Sequence, residues 1–467
     1  MDAGQGVGLG FGETHFGAAQ LGDRRRTKRL VDTANRILEH PQGTLPDKLR
    51  SPAALKGLYR LVDGPTVTHE SVLRPHLERT RQRMREHPGV VLTIHDTTEL
   101  DYTDITTLQA IGQIGNGSHR GYLCHNSLAV DPRTREVFGL ANQILFCRPN
   151  VAEGETRADR RERATRESRL WKRGSEAIGS APPGHLWVDV CDRGGDLLEY
   201  LDHKDASSQA YVVRSKHDRW VEIERDGQPV RCKLHGLARS LPELGRRSIE
   251  TSTHPGKPAR TVSVAMASAA VTLLPPVQAR GEYRGVPLRT WVIHVREIDP
   301  PAGVEPVEWI LLSSVSAANF EQACERADWY ACRWIIEEYH KAKKTGCNIE
   351  DLQFTSEERL EPVIALLSVA ALSLLQLRSA SRQEDAQTRP AVEIMPKVHV
   401  AVLSGWRFGR VRMELTVHEF FYALARLGGH QNRRHDHPPG WIVLWRGWVK
   451  LQCMADGATA IGFTRCG

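Results

Sequence analysis

Tyr330-Ala331-Cys332-Arg333-Trp334-Ile335-Ile336-Glu337-Glu338-Tyr339-His340-Lys341-Ala342-Lys343-Lys344 decides how the rest of the chain is read. Tyr330, Arg333, Glu337, Lys341 and Lys344 are spaced 3, 4, 4 and 3 apart. At about 3.6 residues per turn, this spacing predicts all five on one stripe of a single helix. The stripe carries one carboxylate, one phenol and three cations, while Trp334, Ile335 and Ile336 point elsewhere. A carboxylate can ligate a divalent metal, and cations beside it can hold the phosphates on which the metal acts. The plainer alternative is a solvated face in which Glu337 and Lys341 form an ordinary i,i+4 pair.

Two further carboxylates sit where such chemistry gathers. Val90-Val91-Leu92-Thr93-Ile94 reads as a buried strand ending at His95-Asp96-Thr97-Thr98, and Leu186-Trp187-Val188-Asp189-Val190-Cys191 as another, followed by Asp192. Ligands of open α/β sheets collect at the carboxyl ends of strands. Each Asp also has a structural explanation, Asp192 as a helix N-cap and Asp96 as an Asx-turn residue. With Glu337 packed on the same sheet, Asp96, Asp192 and Glu337 can converge. Three carboxylates suit two divalent ions about 3.5–4 Å apart, and Mg²⁺ matches their hard oxygen donors.

Around these residues the sequence divides into three regions. In residues 1–70, Asp23 can cap a helix that begins Arg24-Arg25-Arg26-Thr27-Lys28-Arg29, with Leu30, Ala34, Ile37 and Leu38 as its apolar stripe. So many cations at a helix N-terminus oppose the macrodipole, and a phosphate backbone would offset that cost; a solubilising face is the alternative. A second helix over 53–62 offers Lys56, Tyr59 and Arg60 to phosphate. Residues 71–385 alternate strand and helix, with strands near 122–130 and 137–146 joined by Asp131-Pro132-Arg133-Thr134, a charged surface helix over 157–173, and a strand at 210–214. Residues 218 to about 304 lack long helices and read as an inserted β subdomain, after which 307–313 returns to the main sheet. A long buried helix over 358–378 leads into a mostly helical region, 386–467. There Trp441, Trp445 and Trp448, spaced 4 and 3, form a packing or dimer face.

The bulk composition is that of a globular protein. Of 467 residues, 40% are hydrophobic and 25% charged, and the formal charge of +7 favours a polyanionic partner. Nine scattered cysteines without a Cys-x-x-Cys pair read as free thiols in a reducing cytoplasm. His435-Asp436-His437 reads as a solvated loop rather than a metal cluster. The Gly-rich start has no apolar core of a secretory signal, and the most apolar segment, 363–377, is too short to span a bilayer.

The order Asp, Asp, then Glu within Tyr-x2-Arg-x3-Glu-x6-Lys resembles the bacterial insertion-sequence DDE transposases, especially the hairpin-forming cut-and-paste enzymes of the composite kanamycin-resistance transposon type. The resemblance extends to Leu21-Gly22-Asp23-Arg24-Arg25-Arg26 near the start and to Asp96-Thr97-Thr98 and Val190-Cys191-Asp192-Arg193 at the two Asp positions. It continues through Val212-Val213-Arg214-Ser215-Lys216-His217, Trp309-Ile310-Leu311-Leu312 and Leu444-Trp445-Arg446-Gly447-Trp448. It implies an α/β, RNase H-like catalytic core with a β insertion, a helical N-terminal DNA-binding region and a C-terminal dimerisation region. Asp96, Asp192 and Glu337 would be the catalytic metal ligands for two Mg²⁺ ions, with Mn²⁺ able to substitute. Tyr330, Arg333, Lys341 and Lys344 would contact transposon-end phosphates, as would Arg25, Arg26 and Arg29. Arg214 and Lys216 would lie near the scissile strand, and Trp309 would stack on a flipped base. Asn116-Gly117-Ser118-His119-Arg120-Gly121 keeps basic DNA-contacting character through His119 and Arg120 but not the family's identity. The expected partners are double-stranded DNA and a second copy of the chain, in a bacterial cytoplasm. A nuclease of the same superfamily and a catalytically silent inhibitor of transposition are the competing readings.

Overall fold

Helices open the chain. The computed structural model describes residues 10–163, 165–251, 260–276, 283–381, 384–433 and 438–462, so His435-Asp436-His437 lies outside the described residues. Four helices come first: α1 (Phe11–Phe16), α2 (Arg24–Glu39), α3 (Leu45–Leu49) and α4 (Pro52–Val62). Asp23 caps α2 by accepting the Arg25 N–H at 2.8 Å, and Ser51 caps α4, whose Pro52 occupies the first helical position, where no donor is needed. Leu30, Ala34, Ile37 and Leu38 are buried, while Arg24, Arg25, Lys28 and Arg29 face solvent. The amphipathic period that marked this helix is thus the one it uses for packing.

The next helix, α5 (His69–Glu86), lies on the sheet, where Arg83 donates to the carbonyl of Phe138 at 2.7 Å. The first strands are β1 (Val90–Asp101), β2 (Gly112–Gln113), β3 (Arg120–Val130) and β4 (Val137–Phe146). Helices α6 (Arg157–Glu162) and α7 (Leu170–Ile178) cross to β5 (Leu186–Cys191), and α8 (Leu198–Ala206) crosses to β6 (Ala210–Arg214). β1 is antiparallel to β3 and parallel to β5, which is parallel to β6. The charged run at 157–173 is therefore broken into two short helices rather than one surface helix.

The strands of the predicted insertion do not stand apart. They are β7 (Trp220–Arg225), β8 (Gln228–Lys233), β9 (Gly245–Glu250), β10 (Thr261–Leu273) and β11 (Leu288–Glu297), with α9 (Leu234–Ser240) between β8 and β9. Next in sequence, β12 (Glu308–Ser313) pairs with both β11 and β6 and fuses them to the main sheet. Among the described residues twelve strands form one sheet, in the order β2-β3-β1-β5-β6-β12-β11-β10-β7-β8, with β4 beside β3 and β9 beside β10. A strand left with an open edge at β6 would expose unpaired backbone groups, and β12 removes that edge.

One face of this sheet is covered by α10 (Phe320–Ala331), α11 (Trp334–Lys341) and α12 (Glu357–Ala380). Leu92, Ile94, Val188 and Val190 belong to the same apolar cluster as Ile336, Tyr339 and the buried residues of α12. The other face packs Cys191 and Val213 against Trp171 and Tyr200. Because side chains alternate along a strand, Asp96 follows Leu92 and Ile94, and Asp192 follows Val188 and Val190, towards the α11 side.

The C-terminal helices are α13 (Lys397–Phe408), α14 (Val417–Leu427) and α15 (Trp441–Ala460). Trp441, Trp445 and Trp448 lie on α15 and are all buried inside this chain, with Trp448 stacked on His399 of α13 at 5.1 Å. The stripe is a packing face; its indoles are not available to a second copy. Helices α14 and α15 approach through glycines: a Cβ on Gly447 would stand 1.9 Å from the Leu424 carbonyl oxygen, and one on Gly428 would stand 1.8 Å from that of Val443. Gly447→Ala must push backbone from backbone and is expected to cost about 1–3 kcal/mol. Thermal denaturation reads this directly, and an unchanged Tm would show that the two helices do not meet there.

Candidate active site

The parallel pairing of β1 with β5 ends at His95 opposite Cys191. Asp96 and Asp192 are the next residues on two strands about 4.8 Å apart, so the pairing register itself brings the two carboxylates side by side. Asp96 does not end its strand. β1 runs on to Asp101 because Asp96–Asp101 continues to pair with β3 after β5 has turned away. Beyond the apolar run, β1 therefore becomes an open edge, and Asp96 stands at the point where the edge begins. Asp192 turns out of β5 and caps a short 3₁₀ turn, accepting the Gly194 N–H at 2.8 Å. The N-cap and the convergent carboxylate are the same residue.

Glu337 comes from α11. The predicted single helix is interrupted between α10 and α11, at Cys332 and Arg333. There the amides of Arg333, Ile335 and Ile336 bond three residues back, to Tyr330, Cys332 and Arg333 at 2.9–3.1 Å. No Gly or Pro causes this tightening; it coincides with burial of Cys332. Past Lys341 the helix widens into a π-turn over Ala342–Gly346. Both irregularities flank the residues that face Asp96.

Arg333 holds the centre. It donates to Glu337 Oε1 at 2.5 Å and to Asp96 Oδ2 at 3.3 Å, and so joins two carboxylates from different elements. Glu337 is thereby paired with Arg333 and not with Lys341. Burial pushes the Asp96 carboxyl up to about 7; the charges of Asp192 and, to a lesser degree, Glu337 add to the rise, while Arg333 and the Thr97 N–H oppose it. Burial alone would lower the Arg333 guanidinium, but Tyr330, Glu337 and Asp96 carry it above its usual value. Asp96 and Glu337 therefore share one cationic position, which the guanidinium fills, while Asp192 acts on Asp96 from the neighbouring strand end.

Among the described residues, no three His, Cys, Asp or Glu side chains stand together as a ready metal-ligating group. The donor chemistry nevertheless fits a hard divalent ion: an Asp96 carboxyl whose proton affinity is raised by burial and by the charges of Asp192 and Glu337, with the Cys191 thiol turned to the other face of the sheet. An ion held by both Asp96 and Glu337 would compete with Arg333 for these two carboxylates.

The other predicted residues fall into two groups. Tyr330 is buried and meets Trp309 edge-on at 5.2 Å between ring centroids. Lys341 is exposed with its ammonium 5.2 Å from the Trp334 ring, and Lys344 pairs with Glu350 at 3.0 Å. Tyr330, Lys341 and Lys344 follow the chain through α10, α11 and the π-turn on either side of Glu337, and Trp309 meets Tyr330 from β12. Arg214 donates to the Glu308 carbonyl at 2.9 Å, and the Lys216 N–H donates to Asp196 at 2.6 Å, leaving the Lys216 ammonium outside that bond. At the far strand, His119 pairs with Asp101 at 2.9 Å and Arg120 reaches the Ile111 carbonyl at 3.0 Å. In the N-terminal helices, Arg25 is exposed, Arg29 touches the Gly57 carbonyl at 3.4 Å, and Arg26 is tied to the Leu21 carbonyl and Thr66 at 3.0 Å each. Arg26 is thus committed to holding its own fold.

A buried network that sequence reasoning passed over supports the acids. Asn126 lies directly opposite Asp96 across the β1–β3 pair. It donates to His340 at 3.1 Å, and its carbonyl oxygen accepts from Gln143 at 2.8 Å and from the fully buried Lys343 at 3.1 Å. Burial holds the Lys343 ammonium below its usual value. This ties α11 and the π-turn to the strand that positions Asp96. The signal was present: His125-Asn126-Ser127 is a polar run inside an otherwise apolar strand.

Residues 10–67, spanning α1 to α4, match the transposase DNA-binding family. This match supports a DNA-binding transposase. Among the described residues, no helix is long and apolar enough to cross a membrane.

Proposed function

We propose that this chain is a DDE transposase that binds terminal inverted repeats through its N-terminal helices and cuts and joins DNA with Asp96, Asp192 and Glu337. The observation that carries the proposal is the bridge that Arg333 makes between Asp96 of β1 and Glu337 of α11, with the Asp192 charge acting on Asp96 from the end of β5, in a chain whose first helices match a transposase DNA-binding family. The strand order β4-β3-β1-β5-β6, antiparallel then parallel, supports an RNase H-like core.

Asp96, Asp192 and Glu337 would hold two Mg²⁺ ions, or Mn²⁺ in their place. These would supply Lewis acidity at the scissile phosphate and stabilise the departing 3′-oxygen. As a ligand Asp96 would be ionised, so its raised carboxyl would have to lose its proton. Arg333 leaves the acids and presents its fork of donors to a phosphate of the DNA end. Lys341 and Lys344 hold neighbouring phosphates, and Tyr330 braces Trp309 for stacking on an extruded base. Hydrolysis frees a 3′-OH, which attacks the opposite strand's phosphodiester, expelling the 3′-oxygen of the flanking DNA and closing a hairpin; a second hydrolysis opens the hairpin and regenerates the 3′-OH that is transferred into target DNA. Two copies pair the two ends.

The test is cleavage of labelled duplex carrying the gene's own flanking ends, with Mg²⁺ or Mn²⁺. Wild type should nick at the end boundary and form hairpins, and Asp192→Asn should do neither while still binding. Tyr330→Phe should lower hairpin yield but keep Mn²⁺-supported nicking. End binding without cleavage by wild type would favour an inhibitor, and cleavage indifferent to the ends a nuclease. Loss of all nicking in Tyr330→Phe would place the phenol in the chemistry itself.

A further inference from the structure

The end of α13 carries an aromatic and basic surface that nothing in the site above uses. Trp406-Arg407-Phe408-Gly409-Arg410-Val411 are six consecutive exposed residues with two cations and no acid. Trp406 is 44% exposed, Phe408 39% and Val411 48%, values unusual for side chains of this size on a helix whose other side is buried through Val400 and Leu403.

This surface is built rather than loose. Gly409 closes the helix with φ 70°, a left-handed conformation that favours glycine, and its N–H reaches the Gly405 carbonyl at 2.9 Å. The next turn is pinned by the Arg412 N–H on the buried Ser404 hydroxyl at 3.0 Å. Phe408 has the guanidinium of Arg412 at 4.9 Å and that of Arg407 at 5.4 Å from its ring centroid. Arg412 is held by Glu414 at 2.9 Å. Arg407 and Arg410 are exposed on the same run as Trp406.

From this juxtaposition we infer a second DNA-contact surface, at which Arg407 and Arg410 take backbone phosphates and Trp406 stacks on an unpaired or partly unstacked base. Charge selects the partner: an exposed indole on the same run as Arg407 and Arg410, with Glu414 paired to Arg412, suits a polyanion with π-faces, and base stacking of this kind is tolerant of sequence. The surface would grip distorted DNA irrespective of sequence, as distinct from the N-terminal helices. It rests on the DNA-handling reading above for the choice of polyanion.

The experiment uses the full chain and labelled DNA unrelated to any end, as flush duplex and as duplex with a single-stranded flap. Trp406→Ala should weaken flap binding about tenfold and flush-duplex binding less. Arg407→Ala with Arg410→Ala should reduce the slope of log affinity against log salt by about 2. In wild type, Trp fluorescence should fall on flap binding, and that quench should be lost in Trp406→Ala. Both variants binding like wild type, with Arg25→Ala weakened, would overturn this inference and leave the proposed function standing. Absence of DNA binding by wild type would overturn both. Unchanged DNA binding with a shift in oligomeric state would make the face an interface between copies and overturn the inference.

Discussion

Asp96→Asn is expected to cut DNA ends at least about a thousandfold more slowly than wild type, and yet to be the more stable protein at pH 8 without metal. The first effect follows from losing one ligand of the proposed metal site, whose ions would contribute several kcal/mol of charge stabilisation. The second follows from linkage. The folded Asp96 carboxyl is raised to about 7 from an ordinary 3.8, so the folded state binds its proton more tightly than the unfolded state does. Below the unfolded value both states are protonated and nothing is lost. As pH rises from about 4 through 7 the folded state must give up a proton it favours, and stability falls by an amount on the order of 4 kcal/mol. Asn never carries that charge. The advantage of Asp96→Asn in Tm should therefore be present at pH 8 and shrink towards pH 5. Added Mg²⁺ should raise the wild-type Tm at pH 8 and leave the variant nearly unmoved. A variant less stable than wild type at pH 8 would refute a carboxyl raised by burial and by the charge of Asp192.

What could be read from sequence followed the local or the covalent. Spacing placed Arg333 four residues before Glu337, and the two do touch. It could not place Arg333 against Asp96, 237 residues away, since that contact depends on how α11 lies across β1. The apolar run Val90–Ile94 marked the strand and hence Asp96. The continuation to Asp101 was hidden because Thr97, Thr98, Glu99 and Asp101 look like loop residues until β3 supplies their pairing partners. The tryptophan stripe of α15 shows the same limit. A 4 and 3 spacing says that a face is apolar, whereas the identity of what covers it, here α13 and α14, is a property of the tertiary fold. The insertion joined the main sheet for a related reason: only the double pairing of β12 decides it.

Arg333→Ala separates the two roles that its geometry combines. The guanidinium lies between Asp96 and Glu337, the position that a divalent ion takes in the proposed site, so on that proposal it would compete with the ion. Removing it leaves partly buried carboxylates without their counter-charge, and the metal-free protein should lose about 3 kcal/mol or more, since breaking a pair costs more than the pair is worth. The same removal should tighten Mn²⁺ binding to the DNA-free protein about tenfold or more, as read by the loss of the free-ion electron paramagnetic signal. End cleavage should nonetheless fall about a hundredfold, because the phosphate that Arg333 would receive on leaving the acids has no fork to hold it. Arg333→Lys should recover most of the stability and little of the cleavage, a point charge replacing a bidentate one. Unchanged Mn²⁺ affinity in Arg333→Ala would mean that the guanidinium does not stand in the cation's place, and the three acids would then have to gather their ions elsewhere.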